Sequence, residues 1–230
     1  MNIIGQCLTR DEFTEYVATK NFGTLPANKL VIHHTWRPTK ESWAGEPTLF
    51  AIKRYYERKG WNAGPHLFVA EDGIWLFTDM AKDGIHAGAG NHRSIGIEVV
   101  GDYNNQVWEG ETKLNALHVI ITLLKRLGLD SSRQLLFHRD FSTKTCPGTA
   151  ITKDWLYKEL TNFKPMSIKE KLLANYKAQG SERVQQIAVM EELLTLHKTL
   201  GERLDQMQES INDQSALRAA EKQIIDSLTI

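Results

Sequence analysis

Two histidines and one cysteine have the types and positions expected of a metal-binding site. His33 lies near the end of a short apolar run at 29–35, His138 ends a second run at 134–138, and Cys146 follows shortly after. Two imidazoles and one thiolate supply three ligands of a tetrahedral zinc ion, and the position left open is typical of catalytic rather than structural zinc. These residues predict a hydrolytic centre in which a metal activates water.

This interpretation has a plain alternative. The chain contains eight histidines, and a single histidine is more often a surface or hydrogen-bonded core residue than a metal ligand. The HExxH motif of helical zinc proteases is absent from the sequence, so that pattern gives no support.

Apolar runs and helical patterns alternate through the first two thirds of the chain. Strands are predicted at 29–35, 66–70, 74–77, 94–100 and 134–138, with a hairpin turn at Asp72-Gly73. Helices are predicted at 11–20, 48–59 and 114–127. This alternation predicts an α/β domain, with a mixed central β-sheet flanked by helices, that ends near residue 163.

The sequence changes character after Pro165. Residues 166–230 contain neither proline nor tryptophan. Within them, seven residues recur at spacings of three and four, which is the pattern of the contact seam of a coiled coil. They are Met190, Leu193, His197, Leu200, Leu204, Met207 and Ile211. We predict a catalytic domain at 1–163 and an α-helical C-terminal extension at 164–230. The extension is interpreted either as a helix packed on the domain or as a coiled coil that forms a homo-oligomer.

Charge and hydropathy argue against several partners and locations. Lys and Arg together number 28, as do Asp and Glu, so no basic excess indicates nucleic acid. No apolar stretch approaches the roughly 18 residues of a transmembrane segment. Residues 1–6 lack the features of a secretory signal. The sequence therefore predicts cytoplasmic synthesis, with any extracellular substrate reached after release or export.

Three segments, in family order, resemble the type-2 N-acetylmuramoyl-L-alanine amidases. They are VIHHT at 31–35, SIGIE at 94–98, and His138 together with KTCPG at 144–148. That family includes phage amidases, bacterial recycling amidases and animal peptidoglycan recognition proteins. The resemblance implies the mixed-sheet amidase fold and Zn²⁺ as cofactor. It also implies hydrolysis of the bond between N-acetylmuramic acid and L-alanine in peptidoglycan or a muropeptide.

On this resemblance, His33, His138 and Cys146 are the zinc ligands, and His34 is a packing neighbour. Lys144 falls on a lysine of the catalytic members, where a cation would stabilise the oxyanion formed at the amide carbonyl. Cys146 also favours an enzyme, because members that only bind peptidoglycan often lack this cysteine.

One position departs from many family members, which have a catalytic tyrosine just before the strand at 66–70. The aligned residue here is Pro65, which cannot transfer a proton. Recycling amidases also lack that tyrosine and have a glutamate where this chain has Glu98. We therefore predict that Glu98 is the general base that activates water and later protonates the leaving amine. The alternative is a strand-end glutamate that pairs with a nearby cation.

Two further residues, His86 and Asn91, lie in a segment that resembles the border of the family's substrate groove. They are predicted to contact the substrate. His66 is interpreted either as a hydrogen-bond partner close to the zinc or as a structural histidine.

Other functions stay open at the level of sequence. The domain could bind peptidoglycan without cutting it, or hold a structural zinc and act through its helices. An active enzyme fits a phage endolysin, a cytoplasmic recycling amidase or an exported toxin. The helical extension favours the endolysin, because a recycling enzyme has no need of one.

Overall fold

A computed structural model describes residues 1–164, 193–204 and 207. In residues 1–164 the strands are β1 (Cys7–Leu8), β2 (Lys29–His34), β3 (Leu67–Ala70), β4 (Gly73–Leu76), β5 (Ser94–Val99) and β6 (Leu135–Phe137). The α-helices are α1 (Arg10–Thr19), α2 (Glu46–Arg58), α3 (Gly110–Leu127), α4 (Ser131–Gln134) and α5 (Lys153–Asn162).

All six strands form one sheet in the order β1-β4-β3-β5-β2-β6. Strands β3, β5, β2 and β6 run parallel, whereas β4 and β1 pair antiparallel at one side. The predicted fold class, a mixed sheet flanked by helices, is confirmed.

The parallel strands place functional residues at a common edge. In the register of β2 and β5, His33 lies directly opposite Glu98. Strand β6 lies on the other side of β2 and ends at Phe137, immediately before His138. Because parallel strands share the same direction, their carboxyl ends converge on one side of the sheet, where ligands commonly bind in α/β folds.

Side chains of β3 alternate between two apolar layers. Leu67 and Val69 belong to the larger core, which α1, α3 and α5 help to form. Phe68 and Ala70 face a smaller core that includes Leu49 of α2. The sheet is therefore covered on both faces, and its carboxyl edge is left for the site.

The structure differs from the sequence prediction in several elements. The two-residue β1 and helices α4 and α5 were not predicted. Helix α3 begins at Gly110 rather than at residue 114. The hairpin turns at Glu71 and Asp72, so that Gly73 is the first residue of β4, with a φ of 147° that favours glycine.

The chain divides into two compact units, 1–164 and 165–230. In the second unit, residues 193–204 are helical, and Leu193, Leu200 and Leu204 are all exposed. The predicted seam positions Met190 and Ile211 lie outside the described residues, and the coiled coil stays a prediction. Among the described residues, no helix has both the length and the apolar character needed to cross a bilayer.

Candidate functional site

The three predicted metal ligands come together at the carboxyl edge of the sheet. His33 lies in β2, His138 directly follows β6, and Cys146 lies on the loop that leads towards α5. Nδ1 of His33 is 3.1 Å from Nδ1 of His138 and 3.7 Å from Sγ of Cys146. One ligand atom from each residue lies within 4.8 Å of the other two.

These separations fit a tetrahedral zinc ion. With Zn–N bonds of about 2.0–2.1 Å and a Zn–S bond of about 2.3 Å, two nitrogen ligands lie about 3.3 Å apart, and a nitrogen and a sulfur about 3.6 Å apart. The observed 3.1 Å between the nitrogens of His33 and His138 and 3.7 Å between His33 and Cys146 are close to both values. The donor set is that of a catalytic site with one open position.

Backbone hydrogen bonds hold Cys146 in place. The N–H of His34 donates to Sγ at 3.4 Å, and the N–H of Arg139 donates to the Cys146 carbonyl at 3.0 Å. The Arg139 guanidinium also donates to the carbonyls of Thr145 and Gly148 on either side. These hydrogen bonds of the fold therefore hold the thiol against β2.

The electrostatics of the site favour a bound cation. Burial lowers the pKa of His33 well below its usual value, and the neighbouring His86 and His138 lower it further. Burial, followed by the charge of Glu98, raises the pKa of the Cys146 thiol to about 12. A lone thiolate is thus unfavourable here, and a divalent ion would supply the charge that stabilises it.

Glu98 directs a carboxylate towards the same point. Its Oε1 is 3.9 Å from Nδ1 of His33, and its side chain is only 13% exposed. Its Oε2 is buried without a hydrogen-bond partner among the described residues. Burial raises the pKa of Glu98 to about 8, and the charge of Lys144 partly opposes the increase. A buried carboxyl group with one unsatisfied oxygen, beside the atoms of the three predicted metal ligands, is suited to proton transfer.

Lys144 lies on the exposed loop before Cys146 and lines the same groove as Glu98. Its charge also lowers the pKa of His138, after burial. Within the part of the chain that the structure describes, no ion pair or hydrogen bond holds its ammonium group. The lysine is therefore available to a ligand in the groove.

His86 and Asn91 also line the groove, but their polar atoms are largely used within the protein. Both ring nitrogens of His86 have partners, Nε2 of His33 at 3.0 Å and Oγ of Ser94 at 3.1 Å. Oδ1 of Asn91 accepts from the N–H groups of His86 and Ala87 at 2.9 and 2.6 Å. The structure thus places His86 in hydrogen-bond contact with His33, one of the predicted metal ligands.

The rings of His66 and His34 hydrogen-bond to backbone groups of the fold. Nδ1 of His66 accepts from the N–H of Gly96, and its Nε2 lies 2.9 Å from the carbonyl oxygen of Lys82. Burial lowers its pKa to about 4. The ring of His34 accepts from the N–H of Tyr103 at 3.1 Å. Neither ring hydrogen-bonds to a predicted metal ligand.

Aromatic residues around the groove were not identified from the sequence as functional. The groove has a volume of about 1360 Å³, and its aromatic lining includes Trp36, Tyr55, Tyr56, Trp61 and Phe141. Trp36 is 56% exposed and has a left-handed φ of 52°, which is uncommon for a bulky residue. Tyr55 belongs to the residues whose helical spacing predicted α2, and it is 47% exposed. The negative charge of Glu98 contributes, after burial, to a raised pKa of the Tyr56 phenol.

Sequence comparisons relate the chain to known proteins. A family model described as N-acetylmuramoyl-L-alanine amidase matches residues 23–149, a range that contains every predicted site residue. The chain is 30% identical over 125 residues to peptidoglycan-recognition protein SC1a of Drosophila melanogaster, covering 53% of this chain and 68% of the relative.

Two solved structures have a similar fold. One is the N-acetylmuramoyl-L-alanine amidase LysC from Clostridium intestinale, with a TM-score of 0.52, 21% identity and coverage of 61% of this chain and 89% of that one. The other is a variant of Drosophila PGRP-LB in complex with tracheal cytotoxin. Its TM-score is 0.50 at 21% identity, with coverage of 71% of this chain and 97% of that one.

Proposed function

Because the chain belongs to the N-acetylmuramoyl-L-alanine amidase family, we propose that it is an active zinc-dependent amidase. Its substrate is the amide bond between the lactyl group of N-acetylmuramic acid and L-alanine in peptidoglycan. The observation that carries the proposal is the buried carboxylate of Glu98, 3.9 Å from Nδ1 of His33 in a site with three metal-ligand atoms. A module that only binds peptidoglycan has no need of an unpaired buried carboxylate there.

The residues of the site have distinct roles in this proposal. Zinc held by His33, His138 and Cys146 would supply Lewis acidity, which lowers the pKa of water to about 7 and polarises a carbonyl group. Glu98 removes a proton from the attacking water and delivers it to the nitrogen of L-alanine as the C–N bond breaks. Lys144 stabilises the negative charge that develops on the carbonyl oxygen.

The proposed setting is a bacterial cell wall, reached after release or export as by a phage endolysin. The helix at 193–204 supports this setting, because a recycling enzyme has no need of a helical extension. We propose that its exposed leucines mediate self-association. Recycling of soluble muropeptides inside the cell is the alternative. Comparing polymeric sacculi with soluble muropeptides as substrates distinguishes the two settings.

Digestion of purified sacculi, with products identified by mass spectrometry, tests the activity. We expect stem peptides with a free L-alanine amine, lost on chelation and restored by zinc. Cys146→Ala should abolish release because one ligand is removed. Intact sacculi with the wild-type protein bound to them would favour a binding module and refute the amidase proposal.

A further inference from the structure

We infer that His86, together with Ser94, is a positioning group for the metal ligand His33, rather than a residue that contacts substrate. The inference deepens the proposed function, because it rests on a metal ion bound at Nδ1 of His33. Its basis is an unbroken series of hydrogen bonds that leads from His33 into the protein. We call the series from His33 through His86 and Ser94 to the carbonyl of Asn91 the orienting chain.

The orienting chain has a consistent direction of proton donation. When Nδ1 of His33 directs its lone pair at a metal, the ring proton is on Nε2 and is donated to Nδ1 of His86 at 3.0 Å. The proton of His86 is then on Nε2 and is donated to Oγ of Ser94 at 3.1 Å. Ser94 in turn donates to the carbonyl oxygen of Asn91 at 2.9 Å. His86 and Ser94 each accept one hydrogen bond and donate one, so a single tautomer of His33 satisfies the whole orienting chain.

Asn91 ends the orienting chain and also holds the backbone of His86. Its carbonyl receives the last hydrogen bond, while its side-chain oxygen accepts from the backbone N–H of His86. The loop that carries His86 is thus hydrogen-bonded to Asn91, the residue at which the orienting chain ends. This arrangement fixes both the position of the His86 backbone and the rotation of its ring.

The sheet leaves room for the His86 ring. A Cβ atom on Gly96 of β5 would lie 2.5 Å from Cγ of His86, far inside contact distance, whereas one on Gly84 would first meet the backbone oxygen of Gly64 at 2.6 Å. Neither glycine has the positive φ that would by itself require glycine, so space is the reason for both. The glycine of the SIGIE strand therefore serves the placement of His86 beside His33.

Partners that orient a metal-bound histidine raise the basicity of the ligand and fix its ring, and their loss typically weakens metal binding 10–100-fold. Neither ring nitrogen of His86 is free for a substrate, since both have partners inside the protein. We therefore expect His86 to act through the metal ligand.

Zinc affinity of the full chain, measured by competition with a chromophoric chelator, tests the inference without any assay of cleavage. His86→Leu should weaken zinc binding 10–100-fold. His86→Asn is smaller than the wild-type side chain but offers an amide oxygen near the position of Nδ1, and should restore part of the affinity. The surface variant His92→Leu is the control, because His92 is bonded to Asp83 and has a side chain that is 75% exposed.

Cobalt spectra add a readout that a packing defect would not produce. In the Co²⁺-substituted protein, His86→Leu should shift the d–d bands, and His86→Asn should return them towards the wild-type spectrum. If His86→Leu does not fold, Ser94→Ala decides, because it removes the acceptor of His86 and should weaken zinc binding several-fold.

Wild-type affinity and an unchanged cobalt spectrum in the folded variants would overturn the inference, and so would a wild-type protein that binds no zinc. A wild-type protein that binds zinc but cleaves neither sacculi nor soluble muropeptides would refute the proposed function alone.

Discussion

At the scale of single residues, Glu98 separates metal binding from catalysis. Glu98→Gln keeps the shape of the side chain and leaves His33, His138 and Cys146 unchanged, so the variant should bind one zinc per chain. Without a general base, we expect amide cleavage to fall about 10²–10⁴-fold. Stem-peptide release and bound zinc measured on the same sample check this. Near-normal cleavage by the variant would exclude Glu98 as the base.

The raised pKa of Glu98 also predicts how pH affects the metal-free protein. The buried carboxyl has a pKa of about 8, above its ordinary value of 4.5. Between these values the folded chain keeps a proton that the unfolded chain has lost. The contribution of Glu98 to stability is therefore complete below about pH 4.5 and is lost as pH rises through 8, by at most about 1.4 kcal/mol per pH unit.

Urea unfolding of the chelated wild-type and Glu98→Gln proteins at pH 5, 6.5 and 8 measures this effect. The free energy of unfolding should fall with pH more steeply for the wild type, because the variant lacks the carboxyl and shares every other titrating group. Saturation with zinc should reduce the difference, because a nearby cation favours the ionised carboxylate. Parallel profiles for the two chelated proteins would show that Glu98 titrates normally.

The sequence was informative about residue types and less so about their partners. His33, His138 and Cys146 could be chosen because nitrogen and sulfur ligands near strand ends have a recognisable chemistry. The hydrogen-bond partners of His86 could not be predicted, because its ring meets Ser94 only after β5 and the preceding loop have folded together. The exposure of Trp36 was equally hidden, since spacing does not reveal which aromatic residues border an open groove.

At the scale of elements, strand pairing creates the site. The period of apolar residues was sufficient to predict β2, β5 and β6, and their parallel alignment places Glu98 opposite His33. Strand β1 has only two residues, too few for a periodic pattern, and it forms through pairing with the distant β4. Strands with a strong local pattern were thus predictable, whereas the short strand that depends on long-range pairing was not.

Gly96→Ala tests whether the glycine in β5 is needed to position the orienting chain. The added methyl group would press on the His86 ring, which should cost about 1–3 kcal/mol of stability through overpacking and weaken zinc binding about tenfold or more. Ile95→Val in the same strand should cost about 0.5–1.5 kcal/mol and leave zinc affinity unchanged. Urea unfolding and chelator competition give both quantities. Equal zinc affinity in the two variants would show that β5 does not control the metal site.

At the scale of the whole molecule, the described parts of the two units differ in how far they bury their apolar side chains. Residues 1–164 bury large aromatic and aliphatic residues on both faces of one sheet. The helix at 193–204 instead exposes Leu193, Leu200 and Leu204, with exposed fractions of 58%, 49% and 67%. Leucines exposed at heptad spacing favour association with a second helix. The site and the proposed self-association therefore belong to different units.

Truncation after Lys164 separates these two properties. The fragment 1–164 contains the whole sheet and every predicted ligand, so we expect it to fold, bind zinc and cleave soluble muropeptides as the full chain does. Light scattering coupled to size exclusion should give a monomer for the fragment and a larger species for the full chain.

Leu200→Lys with Leu204→Lys should make the full chain monomeric, because charges on the seam prevent apolar packing. Glu202→Lys, off the seam, should leave its mass unchanged. The same number of protomers per particle for the fragment and for the full chain would place any association in the first unit and reject the coiled coil.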